Sequence, residues 1–117
     1  MLLARLTEAN GAPGQEGEVR DLIRAEIEAH ADEIRTDALG NLIAIKNPDA
    51  PGPKVMLAAH MDEVALMIVG VDSNGYLKFR PIGGVDPRVL VAKTVVVGAK
   101  KSPGVIGSKP IHLQRPE

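Results

Sequence analysis

The sequence predicts an α/β protein whose character changes along the chain. Apolar residues recur with the period of a helix near the start, and shorter runs with the two-residue period of strands follow them. The 12 glycines and 9 prolines fall between these runs and form no repeat. We therefore expect helix, strand, strand in α/β style over residues 1–62 and short strands in the style of a small barrel or sandwich afterwards. The boundary between the two parts is expected near residues 61–72.

Two helices are predicted at the start of the chain. Three leucines share one helical face within residues 2–9, and the breaker at residues 10–14 ends that helix. The second helix carries a clearer stripe, which comprises Val19, Leu22, Ile23, Glu26, Ile27 and His30. His30, near the carboxyl end of that helix, is interpreted as a capping or surface residue and not as a metal ligand.

The strands are expected to be short and to be separated by turns. Residues 54–60 are apolar on both faces, which suits a buried central strand. An Asn-Gly turn within residues 72–75 predicts a hairpin. The remaining predicted strands are residues 33–37, 42–46, 64–71, 76–82, 93–98 and 104–107.

Composition limits the class of protein. With 14 Lys and Arg against 15 Asp and Glu, the net charge of -1 argues against nucleic-acid and membrane-surface partners. The absence of cysteine excludes disulfides and thiolate metal ligands and fits a reducing compartment, so we expect a cytoplasmic protein. No apolar run approaches the roughly 18 residues of a membrane span, and the first residues lack the apolar core of a signal peptide.

The candidate site is His60 with Asp62, at the end of the most apolar predicted strand. An imidazole there can bind a metal through one ring nitrogen, and a carboxylate two residues later can accept the other ring N–H. Spacing alone still favours an ordinary strand-end histidine with Asp62 as a turn or cap residue, because His-x-Asp is a short motif. His30 and His112 are remote, so the three ligands of a usual catalytic zinc site are not in view.

Four separated segments of the chain change that balance. They are Asp37–Ala44, His60–Val64, Pro81–Leu90 and Gly104–Pro110. In this order they resemble the signature segments of one peptidase family, the glutamyl and tetrahedral aminopeptidases, which are binuclear metallo-aminopeptidases of prokaryotes. Three or more motifs in order are far more specific than His-x-Asp alone.

The resemblance implies a fold, a site and an activity. His60 would ligate one of two divalent metal ions, zinc or cobalt, and Asp62 would lie behind it and orient the imidazole. Residues 1–62 would begin a zinc-peptidase-like α/β sandwich, and residues 63–117 would be part of an inserted β-barrel-like dimerisation domain. The implied reaction removes N-terminal residues from peptide substrates, in homo-oligomeric dodecamers built from dimers.

Members of that family are much longer, and their bridging aspartate, general base and last histidine follow the inserted domain. We therefore expect the chain to be an N-terminal fragment with at most one metal ligand, inactive alone and prone to self-association. One alternative is a stand-alone self-association or binding module without catalysis. A third is a glycan hydrolase, because relatives have carried an endoglucanase label, but no pair of carboxylates flanking a sugar cleft stands out.

Other conspicuous residues receive plain structural interpretations. Residues 83–84 and 86–87 are expected to shape a turn, and Lys100 with Lys101 to lie at a hairpin tip. Arg88 is expected to pair either with an acidic residue or with a neighbouring subunit. His112 is interpreted as a surface or interface residue.

Overall fold

The computed structural model describes residues 1–110. Backbone contacts divide the chain into a first unit, residues 1–83, and a second unit from residue 84 onward. His112 lies outside the described residues, so its interpretation stays a prediction. Helices and short antiparallel hairpins make up the two units, which confirms the α/β class at this level.

The first unit begins with the two predicted helices. Helix α1 spans Leu2–Glu8 and α2 spans Gly17–Ile27, which continues into a short 3-10 turn at Glu28–His30. Val19 is the buried residue of α2, and the other apolar residues of its stripe are half-buried. Glu26 and His30, the two polar positions of the stripe, are exposed, and Glu26 forms an ion pair with Arg5 of α1.

Two hairpins follow the helices in the first unit. Strand β1 (Glu33–Thr36) pairs antiparallel with β2 (Leu42–Ile45), and β3 (Ala65–Val71) pairs antiparallel with β4 (Leu77–Ile82). The predicted Asn-Gly turn joins the second pair, and Gly75 takes the positive φ of +86° that this turn requires. A bulge between Ile68 and Gly70 shifts the register of β3 against β4.

The predicted central strand at residues 54–60 is wrong. Residues 53–64 form no helix, strand or turn, and Val55, Met56 and Leu57 are 82%, 87% and 94% exposed. A strand that is apolar on both faces needs a neighbouring strand to hydrogen-bond its backbone groups. It also needs packed layers on both sides to bury its side chains. Every sheet of the described residues is a two-stranded hairpin closed by its own turn, so this segment finds no partner.

The second unit contains one hairpin in its described part. Strand β5 (Thr94–Val97) pairs antiparallel with β6 (Ser102–Val105) across residues 98–101. The sequence placed the last strand at residues 104–107, two residues too late. Pro103 lies between the predicted strands 93–98 and 104–107, but it pairs with Val96 in a two-stranded sheet, where a residue without an N–H is tolerated at an edge.

Little of the described chain is fully enclosed. Ala9, Val19 and Ile106 are the buried hydrophobic side chains among residues 1–110, at 6%, 7% and 7% exposure. Within this same stretch, no helix has the length and apolar character needed to cross a membrane. The backbone of the loop after α1 and that of residues 61–63 come together beside Val19, and this is where the site residues are held.

Candidate functional site

His60 and Asp62 lie in the irregular segment between β2 and β3 and contact each other, as an imidazole and a carboxylate two residues apart can. His60 Nδ1 is 3.1 Å from Asp62 Oδ1 and 2.9 Å from the Asp62 backbone carbonyl oxygen. The imidazole is 84% exposed and the carboxylate 47% exposed. The site therefore sits at the surface of the first unit and not at a strand end.

The two oxygens beside Nδ1 indicate which ring nitrogen carries the proton when the imidazole is neutral. A backbone carbonyl can only accept a hydrogen bond, so the ring N–H belongs on Nδ1. This leaves Nε2 of the neutral ring with a lone pair that can bind a metal or accept a proton. A carboxylate behind the ring also fixes its orientation, which is how histidine ligands are commonly supported.

The segment that carries the pair is fixed from the helical side of the unit. The Glu63 N–H donates to the Gly11 carbonyl at 2.8 Å, and the Gly11 N–H reaches Glu63 Oε1 at 3.4 Å. Gly11 is buried beside Val19, at the start of the loop that the sequence identified as a breaker. The Asn-Gly-Ala-Pro-Gly sequence was identified as a turn signal, but its contact with residue 63 joins positions 52 apart and carries no local signal.

The described residues do not bring together the donors of a complete metal site. No group of three or more metal-capable side chains occurs within residues 1–110. His30 is exposed in the 3-10 turn after α2 and was not expected to ligate. His60 fits a single metal ligand oriented by Asp62, whereas a catalytic centre with two ions needs further donors. The described residues alone therefore do not make up a two-metal centre.

Arg88, which the sequence left with two possible partners, pairs with an acidic residue of its own turn. Its Nε lies 3.0 Å from both Asp86 carboxylate oxygens, and its Nη2 lies 2.6 Å from Oδ2. The Arg88 guanidinium lowers the pKa of Asp86, and the Asp86 carboxylate raises the pKa of Arg88. Asp86 also caps the short 3-10 turn at Pro87–Val89 by accepting the Arg88 N–H. The expected turn at residues 86–87 is thus confirmed.

A second polar arrangement, around Asp37, was part of the sequence resemblance without an assigned role. Asp37 Oδ1 accepts the Leu39 and Asn41 N–H groups at 2.9 Å each, and Oδ2 accepts Asn41 Nδ2 at 2.8 Å. The Asn41 side chain, followed by these backbone donors, lowers the pKa of Asp37. An aspartate that bonds the backbone two residues on, with glycine at positive φ before the next strand, is a recognisable turn signal.

A shallow depression lies beside this turn. It is lined by residues 14–18, Arg20 and residues 38–40. The Arg20 guanidinium donates to the Gly40 carbonyl at 3.0 Å and so ties α2 to the turn. The depression is open. We interpret the Arg20–Gly40 contact beside it as structural, because it joins α2 to the β1–β2 hairpin.

Comparison with known proteins identifies a consistent set of relatives. Residues 40–117 match the family described as M42 glutamyl aminopeptidase, and residues 1–22 match a family described as AMPT. A lysyl aminopeptidase of Pyrococcus furiosus is 42% identical over 97% of this chain and 33% of its own length.

Solved structures agree in fold. The Pyrococcus horikoshii TET1 peptidase, reported to assemble into a tetrahedron or a large octahedral shell, is 38% identical with a TM-score of 0.80, over 96% of this chain and 34% of its own. A Thermotoga maritima structure titled endoglucanase is 42% identical with a TM-score of 0.81, over 94% of this chain and 34% of its own. The chain spans about a third of the length of the curated relatives it matches.

Proposed function

The chain belongs to the M42 glutamyl aminopeptidase family, and we propose that it contributes His60 as a metal ligand and Asp62 as the carboxylate that orients it. The activity served is the metal-dependent removal of N-terminal residues from peptides. The observation that carries this proposal is the contact of His60 Nδ1 with two Asp62 oxygens, which leaves Nε2 free.

The cofactors proposed are two divalent ions, zinc or cobalt, of which this chain would hold one through His60. When bound, such ions polarise the scissile carbonyl and activate water. The contributions of this chain are narrower. His60 presents Nε2, Asp62 orients the ring through Nδ1, and the Gly11 contact fixes the segment. The other donors are proposed to lie outside the described residues.

The division at residues 62 and 63, with a barrel-like dimerisation domain after it, remains part of the proposal. The short antiparallel hairpins after residue 64 and their exposed apolar side chains support it. The shells reported for the TET1 peptidase support homo-oligomers built on this family's fold. The cysteine-free composition supports a cytoplasmic setting.

The decisive experiment places this chain where its relatives carry the matching segment. In a chimera, the 117 residues replace the corresponding third of the Pyrococcus furiosus lysyl aminopeptidase. We expect turnover of aminoacyl chromogenic substrates with added zinc or cobalt. His60→Ala should abolish it, and Asp62→Ala should reduce it about 10–100-fold, the usual cost of losing the partner of a ligating histidine.

His30→Ala is the matched control, because His30 is exposed and contacts no site residue in the described structure. Full turnover in the His60→Ala chimera would remove His60 from the metal site. The isolated 117-residue chain is expected to be inactive under the same conditions, since its described residues offer one ligand only. Turnover by the isolated chain that persisted in its His60→Ala variant would also overturn the site assignment.

Glycan hydrolysis is the second candidate, because one structural relative carries the name endoglucanase. That chemistry needs two carboxylates on opposite sides of a sugar. At the candidate site Asp62 is engaged with His60, and Glu63 reaches the Gly11 N–H. The same chimera assayed on a soluble β-glucan decides between the candidates, and release of reducing sugar without aminopeptidase turnover would favour the glycosidase.

The non-catalytic alternative is a self-association module. It is supported by the exposed apolar side chains of the described residues, which favour association and have no bearing on catalysis. Retention of assembly together with an inactive chimera would favour it over the peptidase.

A further inference from the structure

The contact between the Gly11 loop and the site runs through a single peptide group. The N–H of the Asp62–Glu63 peptide donates to the Gly11 carbonyl at 2.8 Å. The C=O of that same peptide accepts from His60 Nδ1 at 2.9 Å. A trans peptide is planar, with its N–H and C=O pointing in opposite directions, so fixing one end of the group fixes the other.

We propose that Gly11 is a positioning residue for His60, acting through the Asp62–Glu63 peptide group. The Gly11 carbonyl holds the peptide, and the peptide holds the imidazole with its proton on Nδ1 and Nε2 directed away. The inference rests on the proposed function only in that Nε2 is the atom offered to a metal. Linked hydrogen bonds polarise one another, so the Gly11 contact also strengthens the Asp62 carbonyl as an acceptor.

The position requires glycine because there is no room for a side chain. A Cβ atom on Gly11 would lie 2.8 Å from the Met61 carbonyl oxygen and 3.2 Å from Val19 Cγ2. The Met61 carbonyl belongs to the backbone between His60 and Asp62. A backbone shift that relieves this clash therefore also moves His60 and Asp62. Val19 is 7% exposed, so the other side is packed against α2 and yields little.

The Glu63 carboxylate makes a weaker second contact. Its Oε1 accepts the Gly11 N–H at 3.4 Å, beyond the usual range of a strong N–H···O bond. Glu63→Ala removes this contact and leaves the backbone bond in place. Glu63→Ala should therefore leave the His60 tautomer unchanged, which separates the backbone contact from the side-chain contact.

The test is solution NMR of the full 117-residue chain without metal. In the wild type, at a pH where the His60 ring is neutral, we expect scalar coupling across the hydrogen bond from the Glu63 nitrogen to the Gly11 carbonyl carbon. The ring nitrogen shifts should then show the proton on Nδ1. Gly11→Ala should speed exchange of the Glu63 amide about tenfold, as loss of one hydrogen bond predicts. It should also convert His60 to a mixture of tautomers, with the His30 ring unchanged.

Gly70→Ala is the matched control. It makes the same substitution in the same unit, and its Cβ would meet no atom within 4 Å. A folded Gly11→Ala chain with wild-type His60 shifts and Glu63 exchange would overturn the proposal. If Gly11→Ala does not fold, the wild-type spectrum decides: absence of the coupling or of the Nδ1 proton overturns the proposal, and presence of both supports it.

Zinc distinguishes failure of this inference from failure of the proposed function. If a large excess of Zn²⁺, enough to saturate the weak site that a single imidazole offers, leaves the wild-type His60 ring signals unchanged, the metal role of His60 fails while the Gly11 contact stands. If Zn²⁺ shifts Nε2 in the wild type and in Gly11→Ala alike, with unchanged tautomers in both, the metal role stands and the positioning role fails.

Discussion

The contact between His60 and Asp62 shows how far a residue close in the sequence can orient a site side chain. A histidine and an aspartate two residues apart need no tertiary structure to meet, and their side chains touch at 3.1 Å in a segment without regular structure. What local spacing cannot set is the direction in which the pair faces. That is determined by the hydrogen bond between residues 11 and 63.

A single imidazole should bind metal weakly. Metal affinity arises from several deprotonated donors acting together, and the described residues provide no group of three. Calorimetric titration of the chain with zinc should therefore show no stoichiometric binding at about micromolar protein concentration. Tight one-to-one binding that survives His60→Ala would contradict the assignment of His60 as the ligand.

Asp37 should make stability depend on pH in acid. Its hydrogen bonds to Asn41 and the turn backbone favour the ionised form and lower its pKa from an ordinary value of 3.8. A lowered pKa in the folded state gives stability that is present above 3.8 and is lost as pH falls through the folded-state pKa.

The matching variant is Asp37→Asn, which keeps an acceptor oxygen in the turn and does not titrate. Thermal unfolding from pH 7 down to pH 2 should show a small, constant deficit in Tm for the variant at neutral pH. Below pH 3.8 that deficit should shrink, because the wild type loses its advantage there. A deficit that grows as the pH falls would contradict the direction of the pKa shift.

At the scale of elements, periodicity predicted what is local and missed what is not. The two helices and the β1–β2 and β3–β4 hairpins follow from short-range signals, namely the apolar stripe of α2 and the Asn-Gly turn. Residues 54–60 have the composition of a strand, but a strand also needs a neighbouring strand to pair with. The described residues provide no such neighbour. The Gly11 contact was missed for the same reason, since it joins residues 52 apart.

The difference in burial between α2 and residues 54–60 can be measured with valine-to-alanine substitutions. Val19 is 7% exposed and anchors α2, so Val19→Ala should lower the free energy of unfolding by about 1–3 kcal/mol. Val55 is 82% exposed in the unpaired segment, so Val55→Ala should change it by less than about 0.5 kcal/mol. Urea denaturation of both variants gives the comparison. A larger loss for Val55→Ala would place residues 54–60 in a buried strand after all.

At the scale of the whole molecule, the described chain buries few apolar side chains and exposes many. Each sheet has two strands, so every strand of the described residues has an edge without a partner. Apolar side chains stand exposed on such an edge strand, at Met67, Ile68, Val69 and Val71 of β3, at 53%, 47%, 52% and 62%. Surfaces of this kind are covered by another chain or by further residues of the same one.

We therefore expect the isolated chain to self-associate, as the sequence predicted. Gel filtration with light scattering at low and high concentration should give a mass above the monomer that rises with concentration. Met67→Lys, at a side chain 53% exposed on the unpaired edge strand β3, should shift the distribution towards monomer. Leu39→Lys is its control, because Leu39 is 89% exposed but stands alone at the Asp37 turn. A sharp monomer peak with cooperative unfolding would show that the chain closes its own core, and the association expected from its unpaired edges would then be wrong.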